Sequence, residues 1–190
     1  MADQAPGLDV TAINRAIQDG YAKRPPTIAP EKLEATMVAY QKQREAEAKS
    51  RFDTAARENK LKSDAVIASN KTKPGVVTLP SGIKYKVIEA GAGAKPNLNS
   101  NVEFNFSGAL ATTGQAFVST FADVKPVSGK LSDVVKLPGM QEIMQQMPNG
   151  ARWQVLLPPE KAWGNGIESA RGGPGPNQAI LLDIKLISVK

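Results

Sequence analysis

The chain has 190 residues and a net charge of +6, and it contains neither cysteine nor histidine. Thiol nucleophiles, disulfide frameworks and imidazole acid–base or zinc sites are therefore excluded, so any catalysis must proceed without them. The basic residues are spread among acids rather than gathered on an aromatic-rich face, so the sequence predicts a solvated basic surface and no nucleic-acid partner.

The opening segment, Met1-Ala-Asp-Gln-Ala-Pro-Gly7, lacks the basic and apolar regions of a signal peptide. It reads as the start of a cytosolic protein or of a mature form whose leader is gone, and the missing cysteine is compatible with cytosol or periplasm. No run approaches the ~20 apolar residues that a membrane span needs.

Leu8, Ile13, Ala16, Ile17 and Tyr21 fall near helical spacing behind a cap at Asp9 or Thr11, which predicts a short amphipathic helix. Pro30 with Glu31 and Glu34 behind it opens a second helix, since proline suits the first helical position and acids suit the positive end of the dipole. From Glu31 to about Asn70 there is no proline or glycine, and Ala, Glu, Lys, Arg and Gln dominate. At ~1.5 Å per residue such a helix runs roughly 60 Å, longer than a small domain is wide. Its first half carries Leu33, Met37, Val38 and Tyr40; its middle is charge-rich. An amphipathic helix that outruns its own domain must cover its apolar stripe. A second copy of itself is the economical partner, with packing back onto its own domain as the alternative. The charge-rich middle reads as a solvated stalk.

Pro74-Gly75 ends the helix, and beyond it the period changes from helical to alternating. Residues 76–79 and 83–88 read as strands around Pro80-Ser81-Gly82, followed by strands over 101–110 and 116–120. Residues 137–147 read as a short helix opened by Pro138, with Met140, Ile143, Met144 and Met147 on one face. Trp153, Val155 and Leu157 then alternate along a strand that Pro158-Pro159 stops, because neither proline can donate to a ladder. A Gly-rich loop from Gly164 to Asn177 leads to a last strand, 179–189. Several strands and one short helix make an α+β domain whose helix covers one sheet face.

The segments Asn70-Lys-Thr-Lys-Pro-Gly-Val-Val-Thr-Leu-Pro-Ser-Gly-Ile-Lys-Tyr-Lys-Val-Ile88, Leu157-Pro-Pro-Glu-Lys-Ala-Trp-Gly164 and Gly172-Gly-Pro-Gly-Pro-Asn177 resemble the FKBP-type peptidyl-prolyl isomerase domain of bacterial macrophage infectivity potentiator (Mip) proteins. So does the final Leu186-Ile-Ser-Val-Lys190. The resemblance covers residues 70–190 with high specificity; the helical half is similar to the subfamily's dimerisation module mainly in composition. It implies a twisted antiparallel sheet wrapped on one short helix (residues 74–190), preceded by an all-α dimerisation arm (1–45) and by a stalk and linker (46–73). It also implies export to the periplasm or cell surface, homodimerisation through the N-terminal helices, proline-containing or unfolded polypeptides as partners, and a macrolide as a candidate ligand. No cofactor, metal, acid, base or nucleophile belongs to such a site.

Carried over residue by residue, the resemblance places the pocket at Phe106, Phe117, Val118, Leu131, Leu137, Met140, Trp163 and Leu182. The family's floor tryptophan, within Val-Ile-Pro-Gly-Trp, is Met140 here, and Leu137 supplies the backbone amide that ligands contact. The family's Phe-Asp-Ser starts at Phe117, but its aspartate position is Val118. A strand tyrosine becomes Phe106, the tyrosine of Ala-Tyr-Gly becomes Trp163, and two wall phenylalanines become Leu131 and Leu182. The pocket is thus still apolar but has lost polar anchors at two positions. Two functions stay open. One is a prolyl isomerase of weak activity; the other is a dimeric chaperone or binding scaffold on a degenerate, inactive isomerase pocket.

Overall fold

The computed structural model describes residues 9–25, 28–121, 125–165 and 173–190. The chain divides into two compact units, Met1–Ser50 and Arg51–Lys190. In the first, helix α1 spans Val10–Tyr21, and the Asp9 carboxylate caps it by accepting from the Thr11 and Ala12 N–H groups at 2.8 and 3.3 Å. None of its residues is buried. Helix α2 starts at Pro30, and Leu33, Met37, Val38 and Tyr40 are exposed along its first half.

Helix α2 continues without a break to Lys71, so the division by contacts falls inside the helix rather than at the loop after it. The expected solvated stalk is in fact partly covered. Phe52, Ala56, Asn59, Ser63, Val66, Ile67 and Asn70 are buried or half-buried at spacings of three and four, which places them on one helix face within the second unit.

Among the described residues of that unit, seven strands form one antiparallel sheet: β1 (Val76–Thr78), β2 (Lys84–Glu89), β3 (Asn101–Leu110), β4 (Ala116–Ser119), β5 (Val127–Lys130), β6 (Arg152–Leu157) and β7 (Ile180–Val189). The order is β1-β2-β6-β7-β3-β4, with β5 also paired to β3. The long central pair is β3 with β7, in which Phe106 faces Ile184 and Gly108 faces Leu182. Strand β5 and the four-residue helix α3 (Leu131–Val134) were not anticipated from sequence, because both are short and β5 holds Ser128 and Gly129, which give no alternating apolar pattern. Helix α4 spans Pro138–Met144, four residues shorter than the expected 137–147, with Pro138 at its start.

The core forms where one sheet face meets α4. Val102 and Phe104 of β3, Val155 and Leu157 of β6, and Leu182, Ile184 and Leu186 of β7 are buried with Met140, Ile143, Met144 and Met147. Each such side chain contributes on the order of 1.5–3 kcal/mol by leaving water. Gly139 sets how closely α4 approaches. A Cβ there would stand 2.6 Å from the Lys161 carbonyl oxygen, so only glycine lets the helix rest on the turn after β6.

Candidate functional site

The turn after β6 is built by its prolines. Pro158 and Pro159 stop the strand, Pro159–Lys161 forms a single 3-10 turn, and the Gly164 N–H closes it by donating to the Pro159 carbonyl at 2.8 Å. The chain is thereby turned onto α4 and delivers the half-buried ring of Trp163. A half-exposed ion pair, Lys161 Nζ to Glu142 Oε2 at 2.9 Å, ties the same turn to α4. Burial works to raise the Glu142 carboxyl, but the Ser81 hydroxyl and the Lys161 ammonium outweigh it and hold the group below the ordinary carboxylate range.

Trp163 stands at the wall of a cavity of about 240 Å³. Phe104 and Phe106 of β3 line another wall, Met140 of α4 a third, and the segment Val134 to Leu137 completes it. Four of the residues named from sequence, Phe106, Leu137, Met140 and Trp163, therefore meet at one cavity. Phe117 adjoins it: its ring packs edge-on against Trp163, with centroids 5.8 Å apart and planes at 81°. Phe117 and Val118 both lie over Gly108, where an added Cβ would meet them at 2.8 and 2.9 Å, so the bare backbone of β3 makes room for them.

Three expected pocket residues are placed elsewhere. Val118 is not among the cavity's lining residues, and Leu131 and Leu182 are fully buried in the core. The alternation of β7 turns Leu182 into the sheet's packed face, and Leu131, opening α3, sinks between helix and sheet. Sequence reasoning missed Phe104, Val134, Val135 and Lys136. Phe104 was within reach of it, since residues two apart on a strand share a face and Phe106 was already named. Val134 ends the single-turn helix α3, and Val135 and Lys136 follow it in a segment that no periodicity marks.

The lining is apolar except for Lys136, whose Nζ donates to the Ser132 carbonyl at 3.2 Å. Among the described residues, neither the Leu137 N–H nor the Trp163 indole N–H donates a hydrogen bond. Phe106 is held by its backbone: its N–H donates to Thr120 Oγ1 at 2.9 Å, and the Thr120 N–H returns a bond to its carbonyl at 2.8 Å. An apolar recess of this kind, with unshared N–H groups on two of its lining residues, can hold a small apolar ring.

Comparison with known proteins agrees with this geometry. Residues 92–187 match the family of FKBP-type peptidyl-prolyl cis-trans isomerases, and residues 1–87 match the domain found amino-terminal to it. The chain is 38% identical over 187 residues to the outer membrane protein MIP of Legionella longbeachae, covering 97% of this chain and 78% of that one. It is 34% identical to the peptidyl-prolyl cis-trans isomerase Mip of Coxiella burnetii, covering 96% and 77%. Among solved structures it resembles FkpA from Escherichia coli at 27% identity with a TM-score of 0.74, covering 96% of this chain and 83% of that one. A sheet wrapped on one short helix, an apolar recess at that helix's start, and these matches along nearly the whole chain lead to one conclusion: the chain belongs to the FKBP-type peptidyl-prolyl cis-trans isomerases, in their Mip-like branch.

Proposed function

We propose that the protein accelerates cis–trans rotation about Xaa-Pro bonds in polypeptides, with the recess bounded by Phe106, Met140 and Trp163 as the proline site. The observation that carries the reading is this apolar cavity with the unshared N–H groups of Leu137 and Trp163 beside it. The uncatalysed barrier is about 18–20 kcal/mol and rotation takes tens to hundreds of seconds. Planarity retains a polar resonance form that water stabilises and an apolar site does not, so the recess favours the twisted amide over the planar one. The open donors then hold carbonyls of the bound segment.

The test is protease-free isomerisation of a short Phe-Pro peptide, with Trp163→Ala and Phe117→Ala alongside the parent. Catalysis that falls at least about tenfold in a folded Trp163→Ala supports the site. A folded parent that gives no acceleration would favour the binding scaffold instead, whose motive is the loss of hydroxyl and carboxylate at Phe106 and Val118.

The first unit functions as a dimer arm in this reading. Val10, Ile13, Ile17 and Tyr21 of α1 and Leu33, Met37 and Tyr40 of α2 are exposed, more apolar surface than one helix pair leaves to water without a partner. Two copies joined there would present two prolyl sites to one client chain. A site outside the cytoplasm is supported by the relative named an outer membrane protein. Among the described residues no helix is long and apolar enough to cross a membrane.

A further inference from the structure

Asn177 stands where three hydrogen bonds meet. Its N–H donates to the Gly164 carbonyl at 2.8 Å, its Nδ2 donates to the Ala56 carbonyl of α2 at 3.1 Å, and its own carbonyl accepts from Ser63 Oγ at 2.9 Å. Its backbone is left-handed, φ 53°, a conformation asparagine tolerates better than most residues. Ser63 Oγ also accepts the Ala179 N–H at 2.8 Å, and Asn59 Nδ2 donates to the Pro176 carbonyl at 2.9 Å. Ser63 is fully buried, so both capacities of its hydroxyl are used where no water can replace either partner.

Ala56, Asn59 and Ser63 recur at spacings of three and four, on one face of α2. Three bonds from that face meet the backbone of residues 176–179, and the Asn177 side chain returns a fourth to the Ala56 carbonyl. The Asn177 N–H then reaches Gly164, the residue bonded directly to Trp163. None of these groups is required by the apolar core, and an apolar helix face would hold α2 in place with less directional constraint. A slip of one residue along α2 turns its face by about 100° and breaks every bond in the set.

We propose that Ser63 and Asn177 are positioning residues for the prolyl site: the helix face seats the strand entry at residues 176–179, and Asn177 seats the backbone beside Trp163. This rests on the isomerase reading for its effect on turnover. A site holds its geometry only when the backbone behind it is fixed, and displacement by about 1 Å can cost on the order of a hundredfold.

The experiment uses the full chain, with Ser63→Ala, Asn177→Gly, and Val66→Ala as a control on the same helix that makes none of these bonds. Readouts are kcat/KM well below each melting temperature, exchange of the Ala179 amide, and the indole N–H resonances of the two tryptophans. In Ser63→Ala the Ala179 amide is expected to exchange faster, the Trp163 indole signal to shift while that of Trp153 stays, and kcat/KM to fall about tenfold. Asn177→Gly keeps the left-handed backbone and its N–H but loses the Ala56 bond, so a smaller change in the same direction is expected. It also carries the test if Ser63→Ala does not fold. An unmoved Trp163 signal in the folded variants, or an equal loss in Val66→Ala, overturns the proposal. If the parent proves inactive, the isomerase reading falls alone, because the indole shift still decides whether the clamp sets the ring.

Discussion

The two units solve the same problem, covering apolar side chains, in opposite ways. In Arg51–Lys190 the large apolar residues of β3, β6, β7 and α4 close on one another, and Phe104, Ile143, Leu157, Ile184 and Leu186 are almost wholly withdrawn from water. In Met1–Ser50 the residues with helical apolar spacing remain exposed, Tyr21 at 94%. A sheet folded over a helix has an inside; a pair of helices offers one stripe and no second layer to meet it. The sheet unit therefore covers its apolar residues by its own packing, whereas the arm leaves its own exposed, and in the proposed reading association covers them.

The largest expected effect tests the first half of this contrast. Phe104→Ala should destabilise the sheet unit by about 3–5 kcal/mol, seen as a lower denaturation midpoint, while the oligomeric mass under native conditions stays as in the parent. A changed oligomeric mass in that variant would show that the units are not independent.

The second half is tested by placing charge on the arm. Ile17→Glu with Met37→Glu should weaken self-association about a hundredfold, roughly 3 kcal/mol, with the melting temperature of the sheet unit unchanged. Sedimentation equilibrium reads the first quantity and calorimetry the second. A parent that is monomeric at every concentration would remove the arm's proposed role.

A smaller effect sharpens what the sheet unit does with its self-sufficiency. Restoring the polar groups that the family pattern carries, Phe106→Tyr with Val118→Asp, should raise kcat/KM by about threefold to tenfold, at 0.5–1.5 kcal/mol per regained hydrogen bond. Since Val118 does not line the cavity, most of the gain should come from Phe106→Tyr alone, which the single variants resolve.

The smallest effect concerns pH. Glu142 titrates below its ordinary value of 4.5, so its pairing with Lys161 contributes fully above that value and is lost as pH falls through the lower folded-state value. Both side chains are about a third exposed, which limits the contribution to under about 1 kcal/mol. Comparing the acid limb of stability in Glu142→Gln and parent measures it. A Glu142→Gln variant that loses stability equally at pH 3 and pH 7 would show that the charge is not the cause.

Much of this molecule follows from local chemistry. Asp9 caps α1, Pro30 starts α2, Pro138 starts α4 and the pair Pro158-Pro159 stops β6, because each acts through its own backbone or its nearest neighbours. Alternation in β6 likewise identified the buried face, since a strand's two sides differ in every second residue. Phe106, Leu137, Met140 and Trp163 were legible as a site once the segments were matched to a family. Which of the remaining apolar residues line a cavity and which fill the core was decided only in three dimensions. Leu131 and Leu182 are as apolar as Met140, and whether a cavity or a neighbouring side chain lies against them depends on the sheet's twist and on where α4 rests. The polar attachment of α2 was equally hidden. Ser63, Asn59 and Asn177 are ordinary surface residues by type, and only the fold brings residues more than a hundred positions apart in sequence within hydrogen-bonding distance, where burial makes each bond necessary.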